Sequence, residues 1–265
     1  GIMPGFVLYN SVIPKKSFEY QIAPMYGLNS RNLSGFFRLS AFVHPNSDFV
    51  REFEFYTLGK KYSAGFDNFN YFAKIEQGLR IKFTSDFTSY HKSEFIFRNI
   101  YASDFIFQNM RFFQQAEYSF SNYRVLNPFS AAVNFERSYG YVKSWLEFNY
   151  QITYNSPSKA LDLRLFSGAF LYNSSTYYGN YNFRLTGNIG SQDYLYDYIF
   201  TGRFEDIRND AGNIFAHQFV QDQGGFAIYS PYGQTNKWLG AVNITTCLPV
   251  PWLRAYLNLG MVADK

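Results

Sequence analysis

Residues 142–154 alternate between apolar and polar side chains for longer than most strands of globular proteins. A β-strand sends successive side chains to opposite faces, so this stretch has one apolar face and one polar face. A half-buried strand of a soluble sandwich shows such alternation over only about 4–8 residues. We call the two sets of alternate positions the apolar parity and the polar parity. The apolar parity consists of Leu146, Phe148, Tyr150, Ile152 and Tyr154, and the polar parity includes Lys143, Glu147, Asn149, Gln151 and Thr153.

The same alternation recurs along nearly the whole chain and predicts roughly fourteen strands, most of about 10 residues, the length of a tilted membrane strand. Residues 183–186, 194–203 and 237–248 are among these predicted strands. The predicted fold class is therefore all-β, an antiparallel transmembrane β-barrel with about 14–16 strands when complete. We expect residues 1–265 to form a single barrel domain, a truncated fragment of a longer protein.

The composition agrees with strands that face lipid on one side and water on the other. Aromatic residues make up 22% of the chain, yet the mean hydropathy is −0.25. No apolar run approaches the roughly 18 residues that a membrane helix needs. The net charge of +4 is spread along the chain, which argues against a nucleic-acid partner. The single cysteine, Cys247, excludes an intrachain disulfide framework.

The connections between predicted strands form two alternating classes. One class is short and rich in Pro, Asn and Ser, at residues 13–15, 44–47, 126–128, 155–157 and 248–251. The other class comprises residues 65–70, residues 173–180 and the long stretch 205–236. Outer-membrane barrels have short periplasmic turns and longer external loops, so we expect the proline-rich turns in the periplasm. The first strand then starts at the outer surface, and we expect at least one strand to be missing at each end.

The sequence contains no pattern that predicts catalysis. The histidines His44, His91 and His217 lack the spacing of metal ligands, and no His-Glu-x-x-His, Walker or Gly-x-Ser-x-Gly motif occurs. Glu52 and Glu54 share one face of a strand, but strand spacing alone does not make an acid–base pair. We therefore expect no enzymatic activity, no metal and no cofactor in this chain.

The polar parity carries charges of both signs along most predicted strands. One interpretation is a channel lining that selects solutes, and the other is a lumen filled by ion pairs that compensate each other. Opposite charges stand side by side, which favours the second interpretation. The side chains expected to line the lumen are Arg38, Lys74, Glu76, Arg80, Lys82, Arg98, Arg111, Glu117, Lys143, Glu147, Asp162, Arg164, Arg184, Asp197, Arg203 and Arg254. The side chains expected to face lipid are Leu146, Phe148, Tyr150, Ile152, Leu161, Leu163 and Leu165.

Several segments carry a resemblance to a known family. They are Gly5-Phe6-Val7-Leu8-Tyr9-Asn10, residues 13–20, Ala23-Pro24-Met25-Tyr26-Gly27, residues 218–220, residues 224–226 and residues 236–239. The chain resembles, loosely from end to end, the C-terminal outer-membrane barrel of bacterial gluzincin (aminopeptidase N-type) metallopeptidases. In that family the zinc and the glutamate base belong to an upstream peptidase domain, whose motif residues do not occur here. The resemblance implies a parent enzyme at the outer membrane, with this chain as its anchor or pore.

These inferences lead to one expected function and two alternatives. We expect an integral barrel in the outer membrane of a Gram-negative bacterium, in contact with lipid, that serves a larger metallopeptidase-like protein as anchor or pore. The first alternative is a stand-alone porin or solute channel, whose solute the sequence does not indicate. The second is a soluble carbohydrate-binding β-sandwich, in which the apolar parity would be buried against a second sheet.

Overall fold

The computed structural model describes residues 2–63, 71–85, 89–103, 110–156, 159–174, 181–200, 218–228, 230–248 and 253–263. The architecture is all-β and barrel-like, as the alternation predicts. Consecutive strands pair with one another in one large antiparallel sheet, and a second sheet is much smaller. Among the residues described, no helix is long and apolar enough to cross a membrane.

Within the residues described, the large sheet has twelve strands, paired antiparallel in the order in which they are given below. These strands are β1 (Leu8–Tyr9), β2 (Phe18–Gly27), β3 (Asn32–Val43), β4 (Val50–Ser63), β5 (Tyr71–Phe83), β6 (His91–Ser103), β7 (Met110–Asn122), β8 (Phe129–Ser138), β9 (Tyr141–Ser156), β10 (Lys159–Asn173), β13 (Trp238–Cys247) and β14 (Arg254–Val262). The small sheet pairs β11 (Phe183–Arg184) with β12 (Gln234–Thr235), and a 3-10 helix covers Gly190–Gln192.

The register of the large sheet keeps the two parities on separate faces. Because strands β9 and β10 pair without a shift through their middle parts, apolar residues lie opposite apolar residues. Such directly opposed pairs are the unit that stabilises a sheet. On one face Leu161 pairs with Ile152, Leu163 with Tyr150 and Leu165 with Phe148, and on the other Asp162 pairs with Gln151 and Arg164 with Asn149.

The described parts of the connection between β10 and β13 add no strand to the large sheet. We call its described parts, residues 181–200, 218–228 and 230–235, the inner segment. The strands predicted at 183–186 and 194–203 are wrong as membrane strands, since residues 183–184 form β11 and residues 194–200 contain no strand. The physical reason is packing: the aromatic side chains stack against the sheet, as Tyr196 does on Phe72 with ring centroids 4.4 Å apart.

The inner segment shows that the large sheet is curved around it. On one side, Lys60 of β4 donates a hydrogen bond to the carbonyl of Tyr196 at 3.2 Å. On the other side, Gly260 of β14 makes room for Leu185, because a Cβ at that glycine would lie 2.2 Å from the leucine side chain. One face of the strands from β4 to β14 therefore surrounds a single segment of chain. In the described part of the chain, β1 and β14 are the two edges of the sheet.

The core lies between the large sheet and the inner segment. It consists of two clusters of buried side chains, both on the face that the alternation marks as polar. The first cluster is Phe72, Ile100, Ala102, Phe113, Tyr141, Tyr181, Leu195 and Tyr196, and the second is Phe166, Phe183, Leu239 and Ala241.

The connections follow the two expected classes only in part. At the end of the sheet expected to carry long loops, β8 and β9 are joined by Tyr139 and Gly140 alone, and β2 and β3 by residues 28–31. Residues 65–70, 175–180 and 205–217 of the expected longer class lie outside the described residues. The described parts of the connection from 174 to 237 fold back against the sheet.

Candidate functional site

The side chains expected to face lipid lie together on the outer face of β9 and β10, opposite the inner segment. Leu146, Ile152 and Leu165 are 45%, 41% and 36% exposed. Phe148, Tyr150, Leu161 and Leu163 are half-buried by their neighbours on the same face. The apolar surface continues on β14, where Leu257 and Leu259 are also exposed. Large exposed apolar surfaces of folded proteins commonly occur where they contact partners or membranes.

Most of the side chains expected to line a lumen lie on the face of the large sheet that the inner segment covers. Two of them are placed differently: Arg184 belongs to β11 and Asp197 to the inner segment, so neither lies on a strand of the large sheet. Arg203 lies outside the described residues. Arg254 shares the inner parity of β14 with Asn258, but it is exposed near the end of the strand.

Two carboxylates of β4 organise the charges at one side of the inner face. Glu54 accepts hydrogen bonds from Arg38 at 2.7 Å and from Arg80 at 3.1 Å. Glu52 lies 2.8 Å from the ammonium of Lys82 and 3.3 Å from that of Lys15. Each carboxylate therefore pairs with cations from neighbouring elements, an arrangement of compensating pairs rather than of an acid and a base.

Asp197 connects the inner segment to the charges of β5 and β6. Its carboxylate lies 2.6 Å from the Lys74 ammonium and 2.7 Å from the Arg98 guanidinium. Burial alone would raise the pKa of Asp197, but the charges of Arg98 and Lys74 outweigh burial and lower it to about 2. Asp193 shapes this turn because its carboxylate accepts hydrogen bonds from the backbone amides of Asp197 and Tyr198 at 3.0 and 2.9 Å.

Glu136 of β8 forms a second connection between the large sheet and the inner segment. Its fully buried carboxylate accepts hydrogen bonds from the hydroxyls of Tyr141 and Tyr194 at 2.6 and 2.7 Å. The Lys143 ammonium lies 3.3 Å from the same carboxylate and donates to the Tyr194 hydroxyl at 2.7 Å and to the Tyr181 carbonyl at 3.2 Å. A buried charge pair is stable only when its remaining donors and acceptors are satisfied, as they are here by the inner segment.

Aromatic side chains complete the contact, and sequence reasoning missed them. The ring of Phe113 lies 5.5 Å from that of Tyr194, and Phe183 packs edge-on against Phe166 and Trp145, at 5.8 and 6.2 Å. Phe113, Trp145 and Phe166 occupy the polar parity of their strands. Large aromatic residues on the polar parity could have indicated an inner segment, because in a water-filled lumen these rings would have nothing to pack against.

A cavity of about 600 Å³ remains between the inner segment and the large sheet. It lies toward the end of the sheet where β9 ends and β10 begins, which we call the proline-turn end. Its roof includes Gly225, and Asn243 of β13 donates to the carbonyl of Gly224 at 2.9 Å. Gly225 has φ +69°, a conformation that favours glycine, and a Cβ there would lie 2.6 Å from the Arg164 guanidinium.

Next to the roof of the cavity, the inner segment carries a carboxyl group with an unusual pKa. Burial raises the pKa of Asp222 to about 6, the neighbouring Glu147 adds to the rise, and the charges of Arg164 and Lys143 oppose it. The Asp222 carboxylate accepts a hydrogen bond from the Gln223 amide at 2.7 Å and another from the side chain of Asn188. Asp222 therefore changes its charge near pH 6, where most other carboxyl groups are already ionised.

The residues described contain no group of three or more His, Cys, Asp or Glu side chains placed to hold a metal ion. The arrangement consists of an apolar outer face, a polar inner face rich in ion pairs, and an inner segment with a cavity of about 600 Å³ beneath it. In comparisons with protein-family models, with curated protein sequences and with solved structures, no match to this chain was found.

Proposed function

We propose that this chain is an integral β-barrel of a Gram-negative outer membrane, closed by its own inner segment and acting as a membrane anchor rather than an open pore. The observation that carries the proposal is the separation of the two faces. Apolar side chains stand exposed on the outside of the curved sheet, while charged side chains and the inner segment fill its inside.

The outer face supports contact with lipid. Leu171, Leu257 and Leu259 are 63%, 51% and 57% exposed, and they belong to strands at one side of the sheet. Burial of apolar surface is favourable by about 25 cal/mol per Å². Lipid would bury the apolar side chains over the whole outer face. It cannot form hydrogen bonds with backbone groups, and the antiparallel pairing of neighbouring strands supplies those bonds instead.

The inner face supports an anchor rather than a conducting pore. Asp197 and Tyr194 connect the inner segment to β5, β6, β8 and β9 through ion pairs and hydrogen bonds. A solute channel needs a continuous water-filled path, whereas barrels closed by internal segments are a known class. Compensating pairs of this kind hold a segment in place without selecting a solute.

The test is to refold the chain with and without phospholipid vesicles. We expect it to float with the vesicles, to resist protease there, and to show no stable single-channel conductance in planar bilayers. A persistent ion-conducting pore would support the stand-alone porin instead. Folding to a monodisperse monomer in buffer without detergent or lipid would support the soluble sandwich and contradict the barrel.

The association with a peptidase rests on the resemblance of the segments at residues 5–27 and 218–239 to gluzincin-associated barrels. We propose that the parent polypeptide carries a zinc peptidase domain and that this chain holds it at the outer membrane. The adjoining coding sequence tests this point. A domain with a His-Glu-x-x-His motif upstream would support it, and a signal peptide directly before this chain would contradict it.

A further inference from the structure

The cavity at the proline-turn end has the size of a small-molecule site. Its volume of about 600 Å³ falls within the range of about 300–1,000 Å³ that is typical of ligand pockets. Strands β7 to β10, β13 and β14 form its walls, and residues 219–221 and 225–227 of the inner segment form its roof. Nothing in the anchoring function described above uses this space.

Amide, carboxylate and hydroxyl groups of the lining supply both donors and acceptors. Gln151 donates to the Asp162 carboxylate at 2.8 Å, and Asn243 donates to the Asn258 side-chain oxygen at 3.0 Å. Each of these side chains keeps further donor or acceptor capacity, because an amide offers two donors and an acceptor and a carboxylate accepts several hydrogen bonds. The groups converge from β9, β10, β13 and β14 on one space.

Among the described residues that line the cavity, the charges balance. The Arg164 guanidinium is paired with the carboxylate of Glu147 at 2.9 Å, so it presents little free charge. Asp162 and Arg254 contribute one negative and one positive charge to the lining. A site without net charge favours a neutral ligand over a phosphate, a nucleotide or a free metal ion.

Aromatic rings stand beside these polar groups. Tyr256 of β14 lines the cavity and is 63% exposed, and Phe129 and Phe219 line it as well. Flat rings next to convergent amides and carboxylates suit a ligand with apolar C–H faces and hydroxyl edges. A pyranose sugar has this combination, since its ring presents C–H groups on its faces and hydroxyl groups around its rim.

We propose that this cavity binds a short neutral oligosaccharide. A peptide fits less well, because peptides that bind β-sheets mainly add a strand to a free edge. Strands β7 to β10 and β13 are paired on both sides. They therefore present side chains, and not free backbone groups, to the cavity. Asp162, Gln151 and Asn258 would hold the hydroxyl groups, and Tyr256 would stack on a sugar ring.

The test uses the full chain folded in a zwitterionic detergent without a sugar headgroup, because glycoside detergents would compete for the site. Maltotriose, cellotriose and N,N′,N″-triacetylchitotriose are titrated by isothermal calorimetry, with trialanine as the peptide probe. We expect at least one saccharide to bind with a Kd of about 1 mM or tighter. Absence of binding by all three at about ten times that concentration would overturn the proposal, and so would tighter binding of trialanine.

Two variants place the binding in the cavity. Asp162→Asn and Tyr256→Ala should each weaken saccharide binding at least about tenfold. The controls Asp48→Asn and Tyr139→Ala change exposed residues outside the cavity lining and should leave the affinity unchanged. Unchanged affinity in both cavity variants would overturn the proposal. Because binding is measured in detergent, its failure is distinct from failure of the vesicle experiment that tests the membrane anchor.

Discussion

The Arg98 guanidinium donates two hydrogen bonds to the Asp197 carboxylate, at 3.0 and 2.7 Å. The first residue lies on β6 of the large sheet and the second on the inner segment. Charge-assisted pairs with two parallel hydrogen bonds are among the strongest and most directional in proteins. This pair therefore fixes both the position and the orientation of the inner segment, and it gives the first prediction.

Asp197→Asn should loosen the inner segment. The change removes the nearer ionised partner of Arg98, which keeps only Glu76 at 3.5 Å, while Lys74 keeps Glu76 at 2.7 Å. Removing one partner of a fully buried pair costs about 3–5 kcal/mol, and we expect about 2 kcal/mol because Asp197 keeps some contact with water. Hydrogen exchange over residues 181–200 should become faster by at least about tenfold, the factor that corresponds to 1.4 kcal/mol.

The matched control is Asp48→Asn, since Asp48 is exposed and forms none of these contacts. It should leave exchange over residues 181–200 unchanged. Equal protection in the two variants would mean that the ion pair does not hold the inner segment. In planar bilayers we further expect Asp197→Asn to show brief openings that the parent protein does not show.

Tyr194→Phe should destabilise the protein without removing the ring that packs on Phe113. The hydroxyl of Tyr194 donates to the fully buried Glu136 and accepts from Lys143, each at 2.7 Å. A hydrogen bond to a charged group contributes about 1.5–3 kcal/mol, so we expect the free energy of unfolding to fall by that amount. Urea unfolding in vesicles measures it. Tyr232→Phe, at an 82% exposed site, is the control and should change little.

The part of the inner segment around Asp222 should be more stable in mild acid than at neutral pH. Asp222 has a folded-state pKa of about 6 against an ordinary value of 3.8, so the folded state binds more protons between these values. The stability that Asp222 contributes is therefore fully present below about pH 4 and is lost as the pH rises through about 6. Asp197 has a lowered pKa, so its contribution is lost only below its ordinary value of 3.8.

Hydrogen exchange of the Gly224 and Phe226 amides checks this sign, because both donate to backbone carbonyls of residues 184 and 185. After correction for the intrinsic exchange rate, their protection should fall as the pH rises from about 4 to about 7. Asp222→Asn cannot ionise and should remove most of this dependence. A protection that rises with pH in the parent, or the same slope in both proteins, would contradict the assignment to Asp222.

The sequence was sufficient to predict the all-β class, the antiparallel pairing and the two faces of β9 and β10. Period-two alternation determines which face each side chain occupies, and a slip of one residue would reverse every assignment. For this reason Leu163 and Arg164 could be placed on opposite faces without a structure. The same reasoning put Lys74, Glu76 and Arg98 on one face, where they form ion pairs.

The inner segment could not be predicted in this way. Tyr194, Tyr196 and Tyr198 alternate with other residues just as strand residues do, and alternation does not show whether a partner strand is available. Asp197 then looked like a charge on a membrane strand, although it pairs with two cations from another part of the chain. Contacts between residues that are about 100 positions apart depend on the curvature of the whole sheet, which local periodicity does not specify.

A charge introduced on the outer face tests whether lipid or water surrounds that face. Leu165 lies in the middle of β10, opposite Phe148, and Leu171 lies near the end of that strand. On the lipid face of a barrel an arginine costs about 2–4 kcal/mol near the bilayer centre and about 0–1 kcal/mol near the interface. We expect Leu165→Arg to lower the free energy of unfolding in vesicles by the larger amount and Leu171→Arg by the smaller amount. In water both sites are at least 36% exposed, and the two changes should then cost nearly the same. Equal, small losses in vesicles would therefore contradict a lipid-facing outer surface.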